Sequence, residues 1–161
     1  MASFATIGVY GFDGTAFIRA LEDARVGVVL DVRQRRGVRG SEYAWANAQR
    51  LEAALRDAGI AYEHRKDLAP TTELRQLQYA EDERQGVGKR SRDVLAPAYV
   101  ERYTREILDQ VDLGPIVEEL PSEGASALMC VERDPEACHR SLVAERLASE
   151  LGLQVKHLRP A

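Results

Sequence analysis

The chain has 161 residues, 45% of them hydrophobic and 30% charged, with a formal net charge of −4. A chain of this length buries a substantial core in one unit, and its ordinary composition excludes extended disorder. The mild acidity argues against a broad surface for nucleic acid or anionic lipid, while leaving room for a small basic cleft.

Met1-Ala-Ser-Phe-Ala-Thr-Ile-Gly8 has no basic region followed by a long apolar run, so no signal peptide is read there. No apolar stretch approaches the roughly 20 residues that span a bilayer, and no membrane role is expected. Two cysteines without an export signal suggest reduced thiols in the cytoplasm. A single domain over residues 1–161 is the simplest division.

Strand-like and helix-like segments alternate along the chain. Phe4 to Tyr10 reads as a first strand, ending at Gly11-Phe-Asp-Gly14. Thr15 to Ala24 reads as a helix with Phe17, Ile18 and Leu21 on one face. Val26 to Val32 is an apolar, β-branched run, suited to a parallel sheet covered on both faces. Tyr43 to Ala58 reads as a helix stopped by Gly59, and Ile60 to His64 as the third strand. Thr71 to Glu83 looks helical, with Thr72 as its N-cap. Gln85 to Arg92 is glycine-rich and basic, an expected loop. Pro97 to Val111 forms another helix, with Pro97 suited to its first turn. Leu113 to Gly124 holds a short helical turn and a loop. Ala125 to Val131 is the fourth strand, Ser141 to Leu151 a helix ended by Gly152, and Leu153 to Leu158 the fifth strand.

This order implies an α/β fold: a three-layer domain with a mostly parallel five-stranded sheet, helices on both faces, and a helical insertion between strands 3 and 4. With right-handed crossovers, the first strand is expected at the centre, flanked by the second and fourth, for an order 3-2-1-4-5.

In such a sheet ligands bind beyond the carboxyl ends of the strands, and the polar residues collect there. The first strand delivers Tyr10 and Gly11. The second delivers Asp31 and Arg33, then Arg35, Arg36 and Arg39. The third delivers His64, and the fourth Cys130 and Glu132. Asp31 and Glu132 each have two readings. One is a buried carboxylate paired with an arginine or backbone amides; the other is an acid or base at a catalytic site. The arginines are either a solvated loop or an anion clamp, since guanidinium forks bind phosphate bidentately. Arg140, near a helix start, supports the clamp. Gly11 to Gly14 offers a backbone approach to phosphate, but neither a Walker A pattern nor GxGxxG is present.

The densest cluster is Cys130-Val-Glu132 followed by Cys138-His-Arg140. Cys138 sits just before a helix N-terminus beside His139 and Arg140, a setting that favours thiolate. It reads either as a nucleophile or as a cysteine packed at the turn, while Cys130, at the strand end, reads as core. Cys130, Cys138, His139 and His64 together offer four zinc donors. C-x7-C-H is not a common zinc spacing, however, and adjacent Cys-His is a poor pair for one ion, so no metal is expected. His64 and His157 read as hydrogen-bonded structural histidines.

Thr6-Ile-Gly8 on a first strand, Leu30-Asp-Val-Arg33 before a basic loop with Arg39, Cys130-x-Glu132 with Cys138-His-Arg140, and Val155-Lys-His157-Leu together resemble the family called domain of unknown function 488. The resemblance covers nearly the whole chain and rests on the joint order of DVR and CxE…CHR. It departs at Arg36-Gly-Val38, where a Pro and a Ser often precede the second arginine. By motif match it carries over Asp31, Arg33, Arg39, Glu132, Cys138, His139 and Arg140, and implies a fold and a site without an activity.

Two functions compete. The first is a small enzyme acting on an anionic ligand, nucleotide-like or phosphorylated. Arg33, Arg39 and Arg140, with Gly11, would hold the anion; Asp31 and Glu132 would handle protons; Cys138 with His139 would supply thiol chemistry. The second is a non-catalytic module for a nucleotide or nucleic-acid end, with Cys-His-Arg as a structural cluster. No cofactor is named by the sequence, and a second copy of the chain stays open as a partner.

Overall fold

A computed structural model describes residues 3–88, 92–118 and 124–161. The expected loops over 85–92 and 113–124 therefore fall partly outside the described residues. The elements are β1 (Ser3–Gly8), α1 (Gly14–Asp23), β2 (Val26–Asp31), α2 (Ala48–Asp57), β3 (Ala61–His64), α3 (Thr72–Gln85), α4 (Pro97–Glu106), α5 (Gly114–Glu118), β4 (Ala125–Cys130), α6 (Arg140–Leu151) and β5 (Val155–Leu158). Short 3-10 turns occupy Ser41–Ala46 and Pro135–Ala137. No helix among the described residues is long and apolar enough to cross a membrane.

All five strands pair in parallel, and three layers form as expected. Alternate residues of each strand supply opposite faces, because successive side chains point to opposite sides of a pleated sheet. Phe17 and Leu21 of α1 and Leu51 and Leu55 of α2 pack on the face carrying Ile7, Val29, Ala127 and Met129. Leu74 of α3, Tyr99 and Tyr103 of α4 and Val143 and Leu147 of α6 pack on the face carrying Phe4, Leu30, Leu128 and Cys130. Each Leu, Ile, Val, Phe or Met among them contributes about 1.5–3 kcal/mol when fully buried.

The strand order is β3-β2-β4-β1-β5, not 3-2-1-4-5. β4 takes the centre and separates β1 from β2. All six of its residues are buried, whereas Ser3 opens β1 half-exposed. The edges are β3 and β5, which keep exposed positions. This exchange sets Cys130 and Glu132 directly beside the carboxyl end of β2.

Helix ends also differ in detail. Thr71, not Thr72, caps α3, its side chain accepting a hydrogen bond from the Leu74 amide at 3.2 Å. The helix expected from Tyr43 begins as a 3-10 turn, and α2 proper starts at Ala48. α4 stops at Glu106 and yields to a 3-10 turn over Leu108–Gln110.

Candidate functional site

After β4 the chain runs through a turn at Pro135–Ala137 into α6. Gly8 makes this path feasible, since a Cβ there would lie 1.8 Å from the Glu132 carbonyl oxygen. Arg140, fully buried, reaches back from α6 and donates to the Glu132 carbonyl at 2.7 Å and the Arg133 carbonyl at 3.1 Å. It staples both ends of the turn.

Three donors meet inside this turn. Cys130 Sγ and Cys138 Sγ each lie 3.7 Å from His139 Nδ1, and all three atoms fall within 4.8 Å of one another. The other ring nitrogen, Nε2, lies 2.8 Å from the Val32 carbonyl oxygen. A carbonyl only accepts, so Nε2 carries a proton and Nδ1 faces the sulfurs. The Tyr103 ring packs on the imidazole at 5.4 Å. Adjacent residues reach the same point because Cys138 is extended (φ −137°, ψ 146°) and His139 is helical (φ −60°, ψ −20°).

The two thiols differ. Burial pushes Cys130 well above the usual thiol range, helped by its contact with Cys138 and by the Glu132 charge. Its Sγ lies 3.5 Å from Glu132 Oε2 and donates to it. Burial acts to raise Cys138 as well, but its contact with Cys130, the neighbouring His139 and the Arg140 charge outweigh it and hold Cys138 well below. Burial works to lower His139, and the Cys138 charge and hydrogen bond raise it overall. Together these favour a thiolate–imidazolium pair at Cys138 and His139.

Glu132 is anchored by residues that sequence reasoning did not single out, Arg92 and, behind it, Asp82 and Gln78 of α3. Arg92 donates to Glu132 Oε1 at 2.6 Å and to Asp82 Oδ2 at 2.8 Å, with all three side chains buried. Gln78 donates to Asp82 at 2.8 Å and accepts from the Ala96 amide at 2.9 Å. The available signal was the polar spacing Arg75, Gln78, Tyr79, Asp82, which puts one polar stripe on the inner side of α3.

Asp31 does not face Glu132. It belongs to the face of α1 and α2, where Arg33 grips both carboxylate oxygens at 2.7–3.1 Å and Tyr62 donates at 2.5 Å. Arg33 also donates to the Ala46 carbonyl at 3.0 Å. Of the two readings of Asp31, this geometry matches the ion pair.

A pocket opens over the thiols at the carboxyl ends of β2 and β4. Cys130, Glu132, Cys138 and His139 line it, with Arg33, Gln34 and Arg35 after β2, Arg75, Gln78 and Tyr79 of α3, Arg92, and Tyr99 of α4. Among the described residues Arg35 and Arg75 carry no carboxylate partner. Arg75 instead donates to Gln34 Oε1 at 2.9 Å and to the Tyr79 hydroxyl at 3.0 Å.

The remaining expected residues lie elsewhere. Gly11 (φ 94°) sits against Pro160, with its amide donating to the Tyr43 hydroxyl at 3.2 Å. Arg39 is exposed and outside the pocket lining, and Arg36 pairs with Glu52 at 2.9 Å. His64 bonds the Arg33 carbonyl at 2.7 Å, and His157 bonds Thr6 at 2.6 Å. Neither histidine belongs to the thiol cluster.

Comparison with known families matches residues 14–147, more than four-fifths of the chain, to the model described as "Domain of unknown function DUF488". The chain belongs to the DUF488 family. The match spans α1 to most of α6 and so includes the whole Cys130–Arg140 turn. No curated protein and no solved structure matches this DUF488 chain.

Proposed function

We propose that this DUF488 protein is an enzyme acting on an anionic, nucleotide-like or phosphorylated ligand in the pocket over Cys138. One observation carries the reading: a thiol and an imidazole 3.7 Å apart line a pocket that Arg35 and Arg75 also line, with no carboxylate partner among the described residues. Guanidinium forks suit phosphate and carboxylate oxygens. Cys138 is the nucleophile toward an electrophilic centre of the bound anion, and His139 returns a proton to the departing group. Cys130 and Glu132 shape the floor. Arg33 and Arg140 act here as scaffold, because their guanidiniums are engaged by Asp31 and Ala46 and by the turn carbonyls. Both thiols are free, which suits a reducing compartment.

The test is binding and turnover of a panel of phosphorylated metabolites and nucleotides by the wild type, Cys138→Ser and Arg75→Ala. Loss of turnover with retained binding in Cys138→Ser, and binding about tenfold weaker in Arg75→Ala, support the reading. Binding without turnover of any member would make the pocket that of a non-catalytic module.

A further inference from the structure

We infer that Cys130, Cys138 and His139 form a binding site for a thiophilic divalent cation, zinc by its chemistry, with the remaining coordination position open to the pocket. The spacing is the first argument. Zinc bonds of about 2.3 Å to sulfur and about 2.0–2.1 Å to nitrogen, at a tetrahedral angle, place a sulfur about 3.6 Å from a nitrogen. Both sulfurs lie 3.7 Å from Nδ1, and the whole trio spans at most 4.8 Å. Each sulfur is thus already at ligand-to-ligand distance from the nitrogen, and the two sulfurs, within 4.8 Å of each other, need to close to about 3.8 Å on the ion.

The second argument is the outer contact of the histidine. Metal-bound imidazoles as a rule donate their other N–H to a carbonyl or carboxylate, which fixes tautomer and ring plane. His139 does this to Val32 at 2.8 Å, and the Tyr103 ring packs against it at a tilt of 57°. The third is donor type. Two thiols and an imidazole select zinc or another thiophilic ion over magnesium or calcium, which require oxygen ligands. Two thiolates neutralise a dication, so the filled site suits its buried setting. Three protein donors beside a pocket is also the arrangement of zinc sites that keep one position for water or substrate.

Binding forms two metal–sulfur bonds and one metal–nitrogen bond and releases two protons. One leaves Cys130, and the other leaves the Cys138–His139 pair. The inference goes beyond the thiol reading and shares its key sulfur: the cation takes the Cys138 lone pair, so the loaded protein is shielded from alkylation. Thiol chemistry and cation binding at this turn therefore exclude each other.

Reduced, chelator-treated full-length protein is titrated with Co²⁺ and followed by absorption, then with Zn²⁺. The expected result is saturation at one ion per chain, a sulfur-to-cobalt charge-transfer band, stoichiometric displacement by Zn²⁺, and Cys138 alkylation slowed by about tenfold or more in the zinc-loaded form. No charge-transfer band in the wild type overturns the site, whatever the variants do. A band of unchanged intensity in folded Cys130→Ala, which loses one thiolate, overturns it equally. Alkylation of the metal-free protein judges the thiol reading separately. A slow, ordinary Cys138 with a normal cobalt band removes the nucleophile and keeps the metal site; a fast Cys138 with no band does the reverse.

Discussion

His139 Nε2 donates to the Val32 carbonyl at 2.8 Å, across the gap between the ends of β2 and β4. This one bond leaves Nδ1 toward two sulfurs and ties the chemistry of the turn to the neighbouring strand. Cys138 is held below the usual thiol range by its neighbours against the effect of burial. A depressed thiol reacts above its own midpoint and loses reactivity as pH falls through it. In the metal-free protein the Cys138 alkylation midpoint is therefore expected below the free-thiol value of about 8.5. His139→Asn should raise it and slow the rate at pH 7 about tenfold or more, read by peptide mass spectrometry after circular dichroism confirms the fold.

Gly8 decides whether the turn can cross β1. A methyl group there would meet the Glu132 carbonyl at 1.8 Å, and backbone cannot rotate away as a side chain would. Gly8→Ala should cost roughly 3 kcal/mol, the upper end of overpacking penalties, in urea unfolding. Any folded fraction should show weakened alkylation selectivity for Cys138 over Cys130, because the clash displaces Glu132.

The Asp31–Arg33 pair is buried, with its charges matched by a bidentate fork. Removing one partner strands the other charge away from water. Arg33→Ala or Asp31→Asn should each destabilise the protein by about 3–5 kcal/mol. The double variant should cost less than the two together. Additive losses in denaturant titrations would show that the pair is not a unit.

Tyr62 gives a pH signature distinct from the thiols. Burial, followed by its hydrogen bond to Asp31, pushes its hydroxyl up to about 12 from an ordinary value of 10.0. The folded state then holds this proton more tightly than the unfolded chain. The contribution is complete below pH 10 and is lost as pH rises towards 12. Tyr62→Phe should cost about 1–3 kcal/mol at neutral pH through loss of a hydrogen bond to a carboxylate. It should also flatten this alkaline decline in thermal unfolding.

The amino-acid sequence determined the alternation of strands and helices, the edge placement of the third and fifth strands, and the concentration of chemistry between Cys130 and Arg140. Each follows from local pattern: apolar runs for buried strands, apolar spacing for helices, turn residues at Asp134-Pro135. The family, too, was legible in the joint order of DVR and CxE…CHR. Only the tertiary structure decided the order of the two inner strands. Parallel strands pair across long crossovers, so both Phe4–Tyr10 and Ala125–Val131 read as apolar runs fit for the centre. The position of β4 follows from packing on both faces along its full length. The same step decided the site. Parity along the strands sent Asp31 to one face and Cys130 to the other, and α3 supplied Arg75, Gln78 and Asp82 from about 50 residues before the first cysteine of the turn. Local sequence cannot encode such meetings, because they depend on which distant segments the sheet brings side by side.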